Sequence, residues 1–145
     1  MYKAIDVANK LLYMAENDAG SDLMTNLKLQ KMLYYEQGFH LAYFGTPLFE
    51  EDIEAWMYGP VVPVVYNAFK SRGRNGIPSD GKPITFSDKK EEDLFAEVFK
   101  VYGKYSAIGL MEMTHGEMPW KTTQTGEGSV IDKEKMKSFF KSRLK

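Results

Sequence analysis

Glu36 and His40 stand four residues apart in the stretch Leu27 to Phe44, a spacing that puts both on one face of a helix. That pair has the makings of half a metal site, or of an acid–base couple. A metal site would need two or three further ligands, and His115, the only other histidine, lies far along the chain. On a helical wheel Glu36 and His40 fall within the apolar stripe of Leu29, Met32, Leu33 and Tyr43. Two polar groups there must satisfy each other or a third partner, because an unpaired buried charge is costly. The structural reading, a buried hydrogen bond that sets how this helix packs, outweighs metal binding or catalysis. His115 follows Thr114 at a helix end, where an imidazole can face the negative helix terminus or contact the nearby Trp120.

Other chemistry is weakly signalled. There is no cysteine, so thiolate nucleophiles, thiolate metal sites and disulfides are excluded. No nucleophile elbow, zinc-protease motif, phosphate loop or dinucleotide glycine loop is present. Gly73-Arg74-Asn75-Gly76 is too short for the last of these. The acids Glu50, Glu51, Asp52 and Glu54 lack the spacing and glycine of a calcium loop and read as a solvated edge. Lys70, Arg72 and Arg74 form a small basic patch that can touch phosphate but more often offsets a helix dipole. The net charge of −1 does not favour a nucleic acid as an obligatory partner, because counterion release needs a basic surface. A helix-turn-helix around Ser106–His115 would present Glu112 and Glu117 rather than base-reading side chains. No cofactor is expected, and a DNA-binding regulator or a small metal-dependent enzyme remain lesser alternatives.

The elements that must position these residues are helical. The 145 residues, 43% hydrophobic and 27% charged, suit one domain with one core. The 14% aromatic content supplies large buried areas. A first helix is expected over residues 3–17, with Ile5, Ala8, Leu12 and Ala15 inward, and a loop over residues 17–22. The second, over 27–44, is capped by Thr25 or Asn26 and stopped by Gly45. It is apolar most of the way round, with Leu27, Tyr34 and Leu41 opposite the first stripe, and so should be central. Ile53–Tyr58 alternates like a short strand, Gly59-Pro60 turns the chain, and Pro63 opens a third helix. Ile84–Phe86 is expected to pair with that strand. Asp88 with Glu91 opens a fourth helix with Leu94, Val98 and Val101 inward. Ser106 caps a short helix to His115, Pro119-Trp120 opens a further turn, and Asp132 caps the last helix, with Met136, Phe139 and Phe140 inward. The expected fold is mainly α, a compact single domain of about six helices with at most a two-stranded ribbon. The N-terminus has no apolar leader core and no aliphatic run can span a bilayer, so a cytoplasmic protein is expected, with no membrane partner.

Trp56, Tyr58 and Tyr66 frame Gly59-Pro60-Val61-Val62-Pro63. Prolines stiffen the turn, so little entropy is lost if it docks on something. Some of its rings should pin the loop to the core, and its surface should face out as an interface anchor.

Several blocks together resemble the Panacea-domain (SocA-like, GepA-like) family. They are Asn26-Leu27-Lys28-Leu29-Gln30-Lys31-Met32-Leu33-Tyr34-Tyr35 with Gln37-Gly38-Phe39-His40, then Pro47-Leu48-Phe49, Ile53-Glu54-Ala55-Trp56 and Tyr58–Pro63. Tyr102-Gly103-Lys104-Tyr105-Ser106, Thr114-His115 and Pro119-Trp120 complete the match over roughly residues 3–140. The resemblance implies one compact helical domain over residues 1–145, without catalytic residues to carry over. It implies the phage-associated antitoxin half of a two-gene locus, neutralising a cognate toxin by direct binding. One branch of the family instead delivers its toxin to an ATP-dependent protease, which is the alternative. Some members add a DNA-binding domain, for which this chain is too short. Glu36 departs from the family pattern, where a small residue such as alanine is expected. The partner surface is expected on an exposed side of the second helix (Gln30, Lys31, Tyr34, Gln37) and on Trp56, Tyr58, Gly59, Pro60, Val61 and Val62. Glu36, His40, Tyr66, His115 and Trp120 are read as structural.

Overall fold

The computed structural model describes residues 1–18 and 23–144, so residues 19–22 of the expected loop and Lys145 lie outside it. Its helices are α1 (Ala4–Glu16), α2 (Asn26–Phe44), α3 (Pro63–Phe69), α4 (Lys89–Tyr102), α5 (Ala107–His115), α6 (Met118–Lys121) and α7 (Lys133–Lys141), and its strands are β1 (Glu54–Trp56) and β2 (Gly59–Val61). A single 3-10 turn, Lys70–Arg72, extends α3.

Short polar side chains start most of the longer helices, as their sequences require. Thr25 accepts from Lys28 N–H, Asp88 from Lys90, Ser106 from Gly109 and Asp132 from Glu134, each occupying a first-turn donor that has no partner inside the helix. The Asp88–Glu91 pair does not close a reciprocal box. Glu91 turns away and bonds Tyr2 and His40 instead.

The axis of the fold is α2. Every residue from Leu29 to Ala42 is buried, because α1, α3, α4, α5, α7 and β2 all pack around it. A helix apolar on several faces finds water on none of them. The closest approach is by α7. A Cβ at Gly38 would overlap the Phe140 ring, and Tyr34, Tyr35 and Phe39 surround that ring edge-on at 5.3, 5.9 and 4.9 Å between centroids. Met136 and Phe140 are buried with them, while Phe139 is half-buried.

The ribbon differs from expectation. Glu54, Ala55 and Trp56 pair with Val61, Pro60 and Gly59 across an antiparallel hairpin, so the segment expected to turn the chain is itself the second strand. Residues 84–86 form no strand. Phe86 instead buries its ring against Phe95 and Tyr2. The other edge of β1 is closed by residues 129–131, through Ala55 N–H to Ser129 O and Ile131 N–H to Ile53 O. Val101 and Tyr43, expected inward, are exposed at the margins of their helix faces, at 39% and 56%.

Candidate functional site

The long polar side chains of α2 do not face water. Gln30, Lys31, Tyr34 and Gln37 are all 1% exposed or less, which overturns the expectation of an exposed helix face. Gln30, Lys31 and Gln37 reach instead to backbone groups of the segments wrapped around α2, and Tyr34 to the Glu117 carboxylate. Gln30 accepts from Val62 N–H at 2.9 Å and donates to Asn26 at 2.8 Å, and Asn26 donates to Tyr66 O at 3.2 Å. Lys31 donates to Pro60 O at 2.9 Å. Gln37 accepts from Leu48 N–H at 2.7 Å and donates to Phe49 O at 2.9 Å. Irregular chain buried against a helix needs such partners, because an unpaired amide or carbonyl costs about as much as a lost hydrogen bond.

Each cluster carries its own electrostatics. Burial lowers the Lys31 ammonium to about 7. Glu117 accepts from the Tyr34 and Tyr35 hydroxyls at 3.0 Å each. Burial raises its pKa, and the two hydroxyl bonds and Arg143 oppose that shift. Both tyrosines are raised too, first by burial and then by the Glu117 charge.

Glu36 and His40 do not pair with each other. His40 Nε2 meets Glu91 at 2.7 Å and Nδ1 meets Thr46 O at 2.5 Å. Glu36 is buried with one carboxyl oxygen unpartnered, and burial drives its pKa well above the usual carboxylate range. His115 stacks on Trp120 at 4.2 Å. Among the described residues no cluster of three or more histidines and carboxylates is placed to hold a metal.

On the ribbon, Gly59, Pro60, Val61 and Val62 are buried, not presented, because β2 packs between α2 and α5. Gly59 is needed there. Its φ of +106° disfavours any side chain, and a Cβ would come 2.7 Å from Lys31 Cε. Trp56 is half-buried. Its indole donates to Glu54 at 2.9 Å and its ring meets Tyr66 edge-on at 5.1 Å. Trp120 donates to Trp56 O at 2.8 Å, which ties the ribbon to α6. The hairpin tip is exposed: Met57 is 68% and Tyr58 63% accessible.

Beside the tip lies a cleft of about 690 Å³, walled by Leu27, Trp56, Tyr58, Tyr66, Ile108 and Met111. Ile108 and Val64 are also exposed. Sequence reasoning found Trp56 and Tyr58 but missed Met57, Ile108 and Met111. The available signal was the run Ala107-Ile108-Gly109-Leu110-Met111, too apolar for a short helix with one covered side.

This is a helical scaffold that holds a short hairpin and an apolar cleft at its surface. The family described as "Antitoxin SocA-like, Panacea domain" matches residues 29–121, and the chain belongs to it. It is 35% identical over 136 residues to "Antitoxin SocA" of Caulobacter vibrioides (strain NA1000 / CB15N), covering 85% of this chain and 71% of that protein. No solved structure matches. Membership of this family supports a role in a toxin–antitoxin pair. No helix among the described residues is long and apolar enough to cross a membrane.

Proposed function

We propose that the protein is the antitoxin of a toxin–antitoxin pair, acting in the cytoplasm, and that it neutralises its cognate toxin by direct binding at the ribbon. The observation that carries this reading is the contrast between the polar side chains of α2 that are committed to the hairpin backbone and the apolar tip that the hairpin leaves exposed. Met57, Tyr58, Val64 and Ile108 stay exposed, and Tyr58 and Ile108 wall a cleft shared with Leu27, Trp56, Tyr66 and Met111. The hairpin beneath them is fixed by Gln30, Lys31 and Trp120, so docking there orders little additional chain. Apolar and aromatic groups on a rigid support are what hot spots are made of. An inhibitory complex with nanomolar affinity corresponds to about −12 kcal/mol and to roughly 1,600 Å² of total buried surface. The ribbon tip and cleft would therefore be the centre of a larger footprint.

Co-expression with the adjacent open reading frame tests the reading. The expected result is rescue of growth and a stoichiometric co-purified complex, in hosts with and without their ATP-dependent proteases. Rescue that requires a protease and yields no stable complex would replace direct inhibition with proteolytic delivery.

A further inference from the structure

We infer that the cleft is a subsite for an acidic–apolar segment of the partner protein, taking one large apolar side chain between its walls and an adjacent carboxylate at its basic rim. This rests on the direct-binding reading above. The charge distribution points to it. The chain as a whole has 19 basic and 20 acidic residues, yet the residues lining the cleft include Lys31, Lys70 and Arg74 and no Asp or Glu. Lys70 and Arg74 are exposed, and neither takes part in an ion pair among the described residues. Lys31 lies beneath the floor with Pro60 O as its hydrogen-bond partner and no carboxylate. Two exposed cations at the rim of an apolar hollow with no acid among its lining leave a positive potential there, and an incoming carboxylate would meet it where water is partly excluded.

The polar atoms of the floor decide between a peptide and a nucleotide. An aromatic cleft with a basic rim would suit a base and its phosphate as well as an apolar residue and its acidic neighbour. Reading a base requires donors and acceptors that are not already in use. Here Gln30 is engaged by Val62 N–H and Asn26, Asn26 by Gln30 and Tyr66 O, and Thr25 by Lys28 N–H. What the floor offers is packed carbon and satisfied amide, which favours an apolar side chain. The volume falls within the range of about 300–1,000 Å³ usual for ligand pockets, enough for an aromatic ring and part of the chain bearing it.

Small probes test the cleft without the toxin. The intact protein is titrated with indole-3-propionate, its neutral amide and adenosine monophosphate, and followed by the Trp56 indole N–H and the Ile108 and Met111 methyl resonances. The expected result is saturable shifts with the acid, at least threefold weaker binding of the amide, and loss of that difference in the Lys70→Glu/Arg74→Glu variant. Equal binding of acid and amide, no saturable shift, or tighter binding of the nucleotide would overturn the assignment. The same variant, altered only at exposed positions, should lose at least tenfold in affinity for the co-purified toxin. Undiminished affinity would overturn the subsite while leaving direct inhibition standing. Failure of the unaltered protein to hold the toxin would count against direct inhibition itself, and the probe titration would still report on the cleft.

Discussion

Two stretches of α2, one turn and a half apart, bury ionisable side chains and treat them differently. At Lys31 the ammonium crosses to Pro60 O on the hairpin, beside Gln30 holding Val62 N–H. At Glu36 the carboxyl group stays inside, and one oxygen finds no partner. Its neighbour His40 is taken by Glu91 and Thr46 O. Burial opposes ionisation in both cases. The difference is what the burial achieves. Around Lys31 the buried polar groups fix a segment that carries exposed apolar residues to the surface. Around Glu36 the packing closes on α4, and the unsatisfied oxygen contributes nothing visible to the fold. The first region uses its buried polar groups to hold a segment with an exposed apolar tip, and the second leaves a buried polar atom without a partner.

Breaking the first region should have the largest effect. Gly59→Val forces a side chain into a φ of +106° and against Lys31 Cε and Thr114 Oγ1. We expect a loss of roughly 3 kcal/mol of stability, read by chemical denaturation, together with loss of toxin protection. A variant of wild-type stability would show that the hairpin is not held as described.

The second region should respond in the opposite direction. Glu36→Met removes an unpaired buried carboxyl group and should stabilise the protein at pH 7 by roughly 1–3 kcal/mol. The pH dependence has a defined sign. The folded pKa is raised above the ordinary 4.5, so the unfolded chain ionises first as pH rises and the wild type is penalised above that value. The gain from Glu36→Met should therefore shrink as pH falls towards 4.5. A gain independent of pH would assign the effect to packing alone.

Lys31 gives a slope-like signal. Its folded pKa of about 7 lies below the ordinary 10.5, so between these values the unfolded chain binds the extra proton. Wild-type stability should rise with pH across that window, by at most about 1.4 kcal/mol per pH unit. Lys31→Met should lack the rise. Parallel profiles for the two proteins would mean that the ammonium is not desolvated.

The helices were legible because their signals are local. Thr25, Asp88, Ser106 and Asp132 each cap the helix expected to follow. The central place of α2 was legible from its all-round apolarity. Its polar residues were misread for the same reason. Nothing in Gln30-Lys31 or Gln37 distinguishes a solvated side chain from one that bonds buried backbone, because the backbone it bonds lies 11 to 32 residues away. The ribbon partner was missed because Gly59-Pro60 is a turn signal, while β2 is paired through its Val61 and Gly59 ends. The aromatic tip was visible as Trp56 and Tyr58. The cleft was not, since α5 and the turn after α3 meet the hairpin only in three dimensions.

The central claim is that the exposed hairpin tip binds the toxin while α2 only supports it. The most direct measurement compares the unaltered protein with Met57→Asp/Tyr58→Ala, two substitutions at residues 68% and 63% exposed, by calorimetric titration with purified toxin. The expected result is stability within about 0.5 kcal/mol of the original and affinity reduced at least a hundredfold. Unchanged affinity in the folded variant would contradict it.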